Sequence, residues 1–439
     1  MSEPAKNSPI IIVGAGTWGI STALHLARRG YTAIKVLDPY PVPSPISAGN
    51  DVNKILELAD SPETNYVSTT LAKAAVSGWN DPVFQPYFHE TGAIIAATSV
   101  GAREYITSGG GMTAANGWIP LSTAQEFRDT MPEGVLTGDF PGWKGWWKKD
   151  GAGWVAARKS MESAAREAAR LGVTFISGLA GRVTELVYAE DEDGAVRGVR
   201  TADGHVHMGV KTILCAGAAA ESLLDMKDQL RPTAWTLAHI KMTPEEVKLY
   251  KDLPVLFNVE RGFFMEPDED KHELKICDEH PGYCNWVMEG GKLRSKPFAK
   301  EQIPIESERR VRQFLRETMP YLANRPFSFA RICWCADTPD RKFLIGTHPE
   351  HKDLVLGVGG SGHGFAHIPS VGSFIADAME MKLDPKLAEA FRWRPATAVG
   401  RDWGALQDRY GPDGSNRVMN FQDINEDGWT TIGLDQTRV

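Results

Sequence analysis

The residue types that could do chemistry in this 439-residue chain gather in a few short stretches. Gly14-Ala15-Gly16-Thr17-Trp18-Gly19 is a glycine turn suited to a pyrophosphate. Gly14 permits a tight turn, Gly16 lets the backbone approach the phosphates, and Gly19 lets helix pack on strand. Asp38 follows at the place where a carboxylate accepts both ribose hydroxyls of a dinucleotide. The motif fits FAD and NAD equally. Lys275, Cys277 and Glu279 alternate along one stretch, so on a strand they share a face; they line a pocket or form a solvent-facing, salt-bridged edge. Arg331 and Cys333 have the same spacing, and an arginine beside a thiol favours the thiolate, although a buried inert cysteine fits as well. Gly359-Gly360-Ser361-Gly362-His363-Gly364 is a second glycine loop.

The elements that must hold these groups are written around them. Ile10-Ile11-Ile12-Val13 reads as a strand entering the first turn. Ile20, Ala23, Leu24 and Ala27 recur at helical spacing up to Gly30, and Lys35-Val36-Leu37 reads as the strand before Asp38. Ser47 to Lys54 is small and polar after a proline-broken segment, and is expected to begin a helix aimed at the cofactor or to form a surface loop. Tryptophans and other aromatics gather between Glu57 and Asp150, which suggests a different domain, and Ser108-Gly109-Gly110-Gly111 is expected to be a mobile loop.

From Gly151 regularity returns. Met161, Ala165, Ala168 and Leu171 predict a helix stopped by Gly172, and Asp193-Gly194 and Asp203-Gly204 predict a three-stranded meander over 182–208. Lys211 to Leu214 is a buried strand whose small ending, through Ala216 and Gly217, lets a cofactor lie close to the backbone. Thr243-Pro244-Glu245-Glu246 is a helix start. Strands are expected over 255–259, 262–266 and 273–277, a helix through Val311 and Leu315, and a strand over 327–335. Leu354 to Val358, the second glycine loop and a helix over 370–379 repeat the strand, turn and helix order. They offer backbone donors and a positive helix end to an anionic group, such as the pyrimidine edge of a reduced flavin.

Composition narrows the partners. A net charge of -8 with both signs interspersed leaves no basic footprint for nucleic acid or an anionic membrane, so a small-molecule substrate is expected. No apolar run approaches bilayer length. The five cysteines are odd in number and lack zinc-ligand spacing, so neither a disulfide framework nor a metal site is expected; His205 and His207 lack a third ligand.

With Arg331-Ile332-Cys333 ahead of the second glycine loop, the chain resembles the glutathione-reductase-type flavin fold of the monomeric sarcosine oxidase group. Gly14 to Asp38, Ser47 to Lys54, Phe140 to Gly145, Arg231 to Trp235, Gly262 to Pro267, Lys275 to Tyr283 and Arg331 to Cys335 resemble fungal fructosyl amino acid oxidases, or amadoriases, in order along nearly the whole chain. The resemblance implies an α/β fold, α+β overall: a Rossmann FAD-binding domain from 8–57, 150–230 and 325–385, a mixed-sheet substrate domain from 58–149 and 231–324, and a C-terminal arm, 386–439, closing the active site. It implies FAD bound covalently through its 8α-methyl group to Cys333, with Ser47, Val183, Ala216, Gly217, Gly360, Gly362 and His363 around the cofactor beside the first loop. It implies oxidation of the amine joining deoxyfructose to an amino acid, with glucosone, free amine and hydrogen peroxide as products.

By position Lys275 would hold a cation near flavin N5, Glu279 would meet the substrate amine or sugar hydroxyls, Arg409 would pair the amino-acid carboxylate, and Lys54 would sit near the flavin ring. Partners would be a glycated amino acid and molecular oxygen, acting on a monomer. Relatives with a lysine after the second glycine loop differ from this chain, which has Ala366. Many relatives end in a peroxisomal tripeptide, whereas Thr437-Arg438-Val439 does not match one, so the cytosol is expected. Rival expectations are an N-methyl amino acid oxidase such as a sarcosine oxidase, a nicotinamide-dependent dehydrogenase, and a flavin-fold protein that binds without turnover.

Overall fold

A computed structural model describes residues 3–57, 65–109, 111–190, 194–402 and 417–432. Two sheets dominate. The first has six strands in the order Leu344–Thr347, Leu354–Val358, Lys211–Leu214, Ile10–Val13, Ile34–Leu37 and Thr174–Ile176. All neighbours are parallel except the first pair. Ile10–Val13 and Lys211–Leu214 are buried along their whole length, as parallel strands covered on both faces must be. Ile10 and Ile12 pack among the helices Thr17–Arg28, Ala157–Arg170 and Val371–Met379, whereas Ile11 and Val13 pack with the meander residues Leu186, Val196 and Val199. The meander is the expected one, Val183–Tyr188, Val196–Thr201 and Val206–Met208, although Asp193 of its first turn lies outside the described residues.

The second sheet has nine strands. Its long strand Arg231–Lys241 runs antiparallel between Glu273–Cys284 and Phe327–Asp337. Gly262–Phe264, Val255–Asn258, Ala93–Ala97, Lys144–Lys148 and Ile119–Leu121 extend it, and the short Met419–Asn420 pairs with Glu273–Cys284 off this path. Phe327–Asp337, grouped from sequence with the FAD-binding segments, makes its ladder hydrogen bonds within this sheet. One face carries the helix Ile305–Thr318, whose Val311, Phe314 and Leu315 are fully buried. The helix Pro244–Leu249 begins with a capping box: Thr243 Oγ1 accepts from Glu246 N and Glu246 Oε2 accepts from Thr243 N.

Two expectations change. Lys54 opens a strand, Lys54–Glu57, antiparallel to Ala152–Val155, rather than a helix. The polar residues before it are spent on buried contacts and leave no cap. Ser108 and Gly109 end a π-helical turn, Tyr105–Gly109, instead of an open loop, and Gly110 lies outside the described residues. Among the described residues no helix is long and apolar enough to cross a membrane.

Candidate active site

The first glycine turn is shaped as its spacing requires. Gly14 has φ +100°, and a Cβ there would meet Cys215 O at 2.5 Å; a Cβ on Gly19 would meet Gly14 O at 1.8 Å. Only glycine lets this helix start so near two strands. A Cβ on Gly16 would meet nothing nearer than Ser47 Oγ at 3.4 Å, so this stretch of backbone is open to a ligand. The helix Thr17–Arg28 has no side-chain cap and no acidic residue in its first turn, which leaves its positive end for an anion. Asp38 stands just beyond the strand Ile34–Leu37, its Oδ2 accepting from Ala15 N and its Oδ1 from Tyr40 N, each at 2.9 Å. Burial pushes its pKa up, and the two amides partly offset this. Beside it lies a cavity of about 340 Å³ lined by Ala15, Tyr40, Val42, Arg166 and Phe175. An uncapped helix, an open glycine and a carboxylate in a cavity fit the phosphates, ribose and base of a dinucleotide.

The two glycine loops are tied together by Trp18, whose buried Nε1 donates to Gly364 O at 3.1 Å. Its ring meets Phe343 edge-on, and Phe343 stacks on His363. Gly362 has φ +82°, and His363 N donates to Gly360 O. The helix expected over 370–379 is present as Val371–Met379. A single turn, Gly364–His367, intervenes, and Gly372 N at the start of Val371–Met379 donates to Ser21 Oγ at 2.9 Å. The helix end therefore faces the first helix, so the loop itself must supply the donors. Ala216 and Gly217 follow the strand Lys211–Leu214, and Val183 opens the meander beneath the sheet.

A buried charge cluster lies where the large sheet meets the loop 47–54. Lys275 Nζ donates to Asp51 Oδ2 at 2.8 Å and to Asn53 O at 2.6 Å, with side-chain exposures of 1% for Lys275 and 3% for Asp51. Lys54 Nζ reaches the same carboxylate oxygen at 3.2 Å. Arg331, on Phe327–Asp337 two strands from Lys275, fastens the loop by donating to Pro45 O at 2.8 Å and Asn50 O at 2.6 Å. Burial opposes the charge on Asp51, but Lys275, Lys54 and Arg331 together hold its pKa well below the carboxylate range. Burial likewise opposes the Lys54 cation, but Asp51 together with the neighbouring cysteines outweighs it, so the lysine pKa is raised. The solvent-facing alternative for Lys275 is thereby excluded.

Cys277 and Cys333 pack together with Leu237 in the same hollow, and Cys333 Sγ lies 3.9 Å from Ala48 O. Burial pushes the Cys277 thiol up to about 12, which makes it inert. Arg331 serves the carbonyls of the loop. Glu279 is half-buried further along the Lys275 face. Lys54 Nζ is 5.9 Å from the centroid of the Phe365 ring, next to Ala366, so a cation approaches the turn after the second glycine loop. Arg409 and Thr437-Arg438-Val439 lie outside the described residues.

Asp51 is the residue that sequence reasoning missed. It stood inside the polar stretch Ser47 to Lys54, but its partner is 224 positions away. Glu266 was missed as well: its carboxyl is buried, Oε2 accepts from Asp252 N, and its carbonyl accepts from Asn53 Nδ2.

A dinucleotide cradle on one sheet, with an enclosed cluster of lysines and cysteines on another, marks a dinucleotide-dependent enzyme, and the family decides which cofactor it takes. The chain matches the family described as FAD dependent oxidoreductase over residues 9–378 and belongs to that family. Among its relatives, L-saccharopine oxidase of Schizosaccharomyces pombe is 30% identical over 406 residues, covering 88% of this chain and 93% of the relative. Among solved structures, the fructosyl amine: oxygen oxidoreductase Amadoriase I of Aspergillus fumigatus is 57% identical, with a TM-score of 0.93 over 98% of this chain and 99% of that one. The fructosamine oxidase Amadoriase II of the same organism, in complex with FSA, is 52% identical, with a TM-score of 0.92 over 98% of each chain. FAD is therefore the cofactor of this chain.

Proposed function

We propose that the protein is an oxidase of fructosyl amino acids: the sugar C1–N bond is oxidised to an imine as oxygen is reduced to hydrogen peroxide, and water hydrolyses the imine to glucosone and free amino acid. The observation that carries this reading is 57% identity over 98% of the chain to an enzyme named fructosyl amine: oxygen oxidoreductase. Bound FAD supplies the two-electron acceptor for hydride leaving C1. In this reading segments 8–57, 150–230 and 325–385 hold it, segments 58–149 and 231–324 hold the substrate, and 386–439 supplies Arg409.

The roles of the side chains follow from their charge. Lys275, anchored by Asp51, is a fixed cation in an enclosed site, suited to the negative charge that develops as oxygen is reduced. Glu279 meets the substrate amine or sugar hydroxyls, and Arg409 pairs its carboxylate through two parallel hydrogen bonds. Lys54, beside Phe365, adds a second cation in place of the lysine that Ala366 lacks. Cys333 Sγ is the nucleophile for an 8α bond to FAD. The protein acts as a monomer in the cytosol.

The test is peroxide release from α- and ε-fructosyl amino acids, L-saccharopine and sarcosine by the purified protein. Peroxide and glucosone in equal amounts from a fructosyl amino acid are expected. Peroxide from sarcosine or saccharopine alone overturns the substrate.

A further inference from the structure

A line of polar groups beside Lys275 is left unused by that reading. His239, on the strand Arg231–Lys241, is the direct cross-strand partner of Lys275. Such partners project from the same face with Cβ atoms about 5 Å apart. The imidazole is 4% exposed. Its Nδ1 lies 3.0 Å from Glu273 Oε2, and its Nε2 is buried with no hydrogen-bond partner among the described residues. Glu273, two positions before Lys275, shares that face; its Oε1 lies 3.1 Å from Lys241 Nζ and accepts from Ser328 Oγ at 3.2 Å.

The tautomer follows from the carboxylate. Burial opposes the charge on Glu273, but His239 and Lys241 bring its pKa down to about 2. An ionised carboxylate only accepts, so Nδ1 donates to Glu273 and Nε2 is the ring atom that faces no protein partner among the described residues. A second buried acceptor without a partner among the described residues is Asn53 Oδ1, on the residue whose carbonyl binds Lys275. Buried polar atoms of this kind are normally met by water. The other charges nearby are committed: Arg331 to loop carbonyls, Asp51 to the two lysines. Phe329, opposite His239 on the next strand, adds only its ring, with centroids 5.0 Å apart.

Resting on the amine-oxidase reading, we propose that His239 stores the proton that the substrate nitrogen releases and returns it when peroxide forms. Oxidation of the C1–N bond removes a hydride from carbon and a proton from nitrogen. Reduction of oxygen to hydrogen peroxide consumes two electrons and two protons, which that hydride and that proton supply together. Through a water at Nε2 the imidazole takes the proton in the first half, is held as imidazolium by Glu273, and gives it up in the second. The buried Lys275–Asp51 pair then keeps its own protons throughout.

The test counts protons. Wild type, His239→Asn and Glu273→Gln holoenzymes are reduced anaerobically in weak buffer with a pH dye, using whichever secondary amine bleaches the flavin. Asparagine keeps an N–H for Glu273 but has no Nε2. Both variants are expected to release one more proton per flavin than wild type. Reoxidation of His239→Asn by oxygen is expected to slow by about tenfold above neutral pH and to recover with added imidazole. Equal proton release in wild type and both variants overturns the proposal, as does a slowing that imidazole leaves untouched. If His239→Asn fails to retain flavin, the Glu273→Gln count decides alone. Absence of bleaching by any fructosyl amine would instead overturn the substrate reading, and that is seen before protons are counted.

Discussion

Lys275 and Asp51 stand 224 positions apart and meet at 2.8 Å with both side chains almost wholly enclosed. The pair joins the large sheet to the loop that follows the nucleotide-binding segment. It also fixes the charge of the candidate site, because Lys54 shares the same carboxylate.

Asp51→Asn leaves two lysines facing a neutral amide. Removal of one partner of a buried ion pair costs about 3–5 kcal/mol, so the urea midpoint is expected to fall accordingly. The folded pKa of Asp51 lies below its ordinary value of 3.8, so its contribution is complete above that value and shrinks as pH falls below it. The gap between wild type and variant should therefore narrow on acidification below about pH 4. A gap that stays constant into stronger acid would assign the loss to packing.

Lys275→Met removes the cation and keeps much of the stem. Anaerobic flavin reduction is expected to remain near normal while reoxidation by oxygen slows by about 10²-fold or more. Stopped-flow measurement of the two half-reactions separates them, and a normal oxidative half would sink the role.

Cys333→Ala tests the covalent bond. Acid precipitation of wild type should leave flavin absorbance in the pellet, and the variant should release it to the supernatant. Yellow supernatant from wild type would keep the flavoenzyme and remove this role from Cys333.

Glu266→Gln should be more stable than wild type in mild alkali. Burial, helped by Asp252 and Glu269, raises the Glu266 pKa from 4.5 to about 7. The folded state thus holds this proton more tightly; the resulting stability is complete below 4.5 and is lost as pH rises through about 7. Glutamine can still accept from Asp252 N. Chemical denaturation at pH 5 and pH 8 should show a variant advantage only at the higher pH, of order 1 kcal/mol. An equal difference at both would refute the titration.

The sequence by itself determined the parts whose cause is local. Gly14, Gly16 and Gly19 need no distant partner to make a turn, and the four buried residues Ile10–Val13 could only be an interior strand. The capping box at Thr243 and the alternation that puts Lys275, Cys277 and Glu279 on one face are likewise set within a few residues. Tertiary structure decided the rest. Lys54 begins a strand because Asp51 and Asn53 are drawn into Lys275 and cannot cap a helix. The helix Val371–Met379 turns its N-terminus to Ser21 because Gly372 lets the first helix come that close. His239 lies opposite Lys275 because of strand register, which a bulge between Ala234 and Thr236 shifts. Turns and strand periodicity arise from neighbours along the chain, whereas buried charge is stable only where a partner arrives from elsewhere, and that partner is chosen by how the sheets pair and pack.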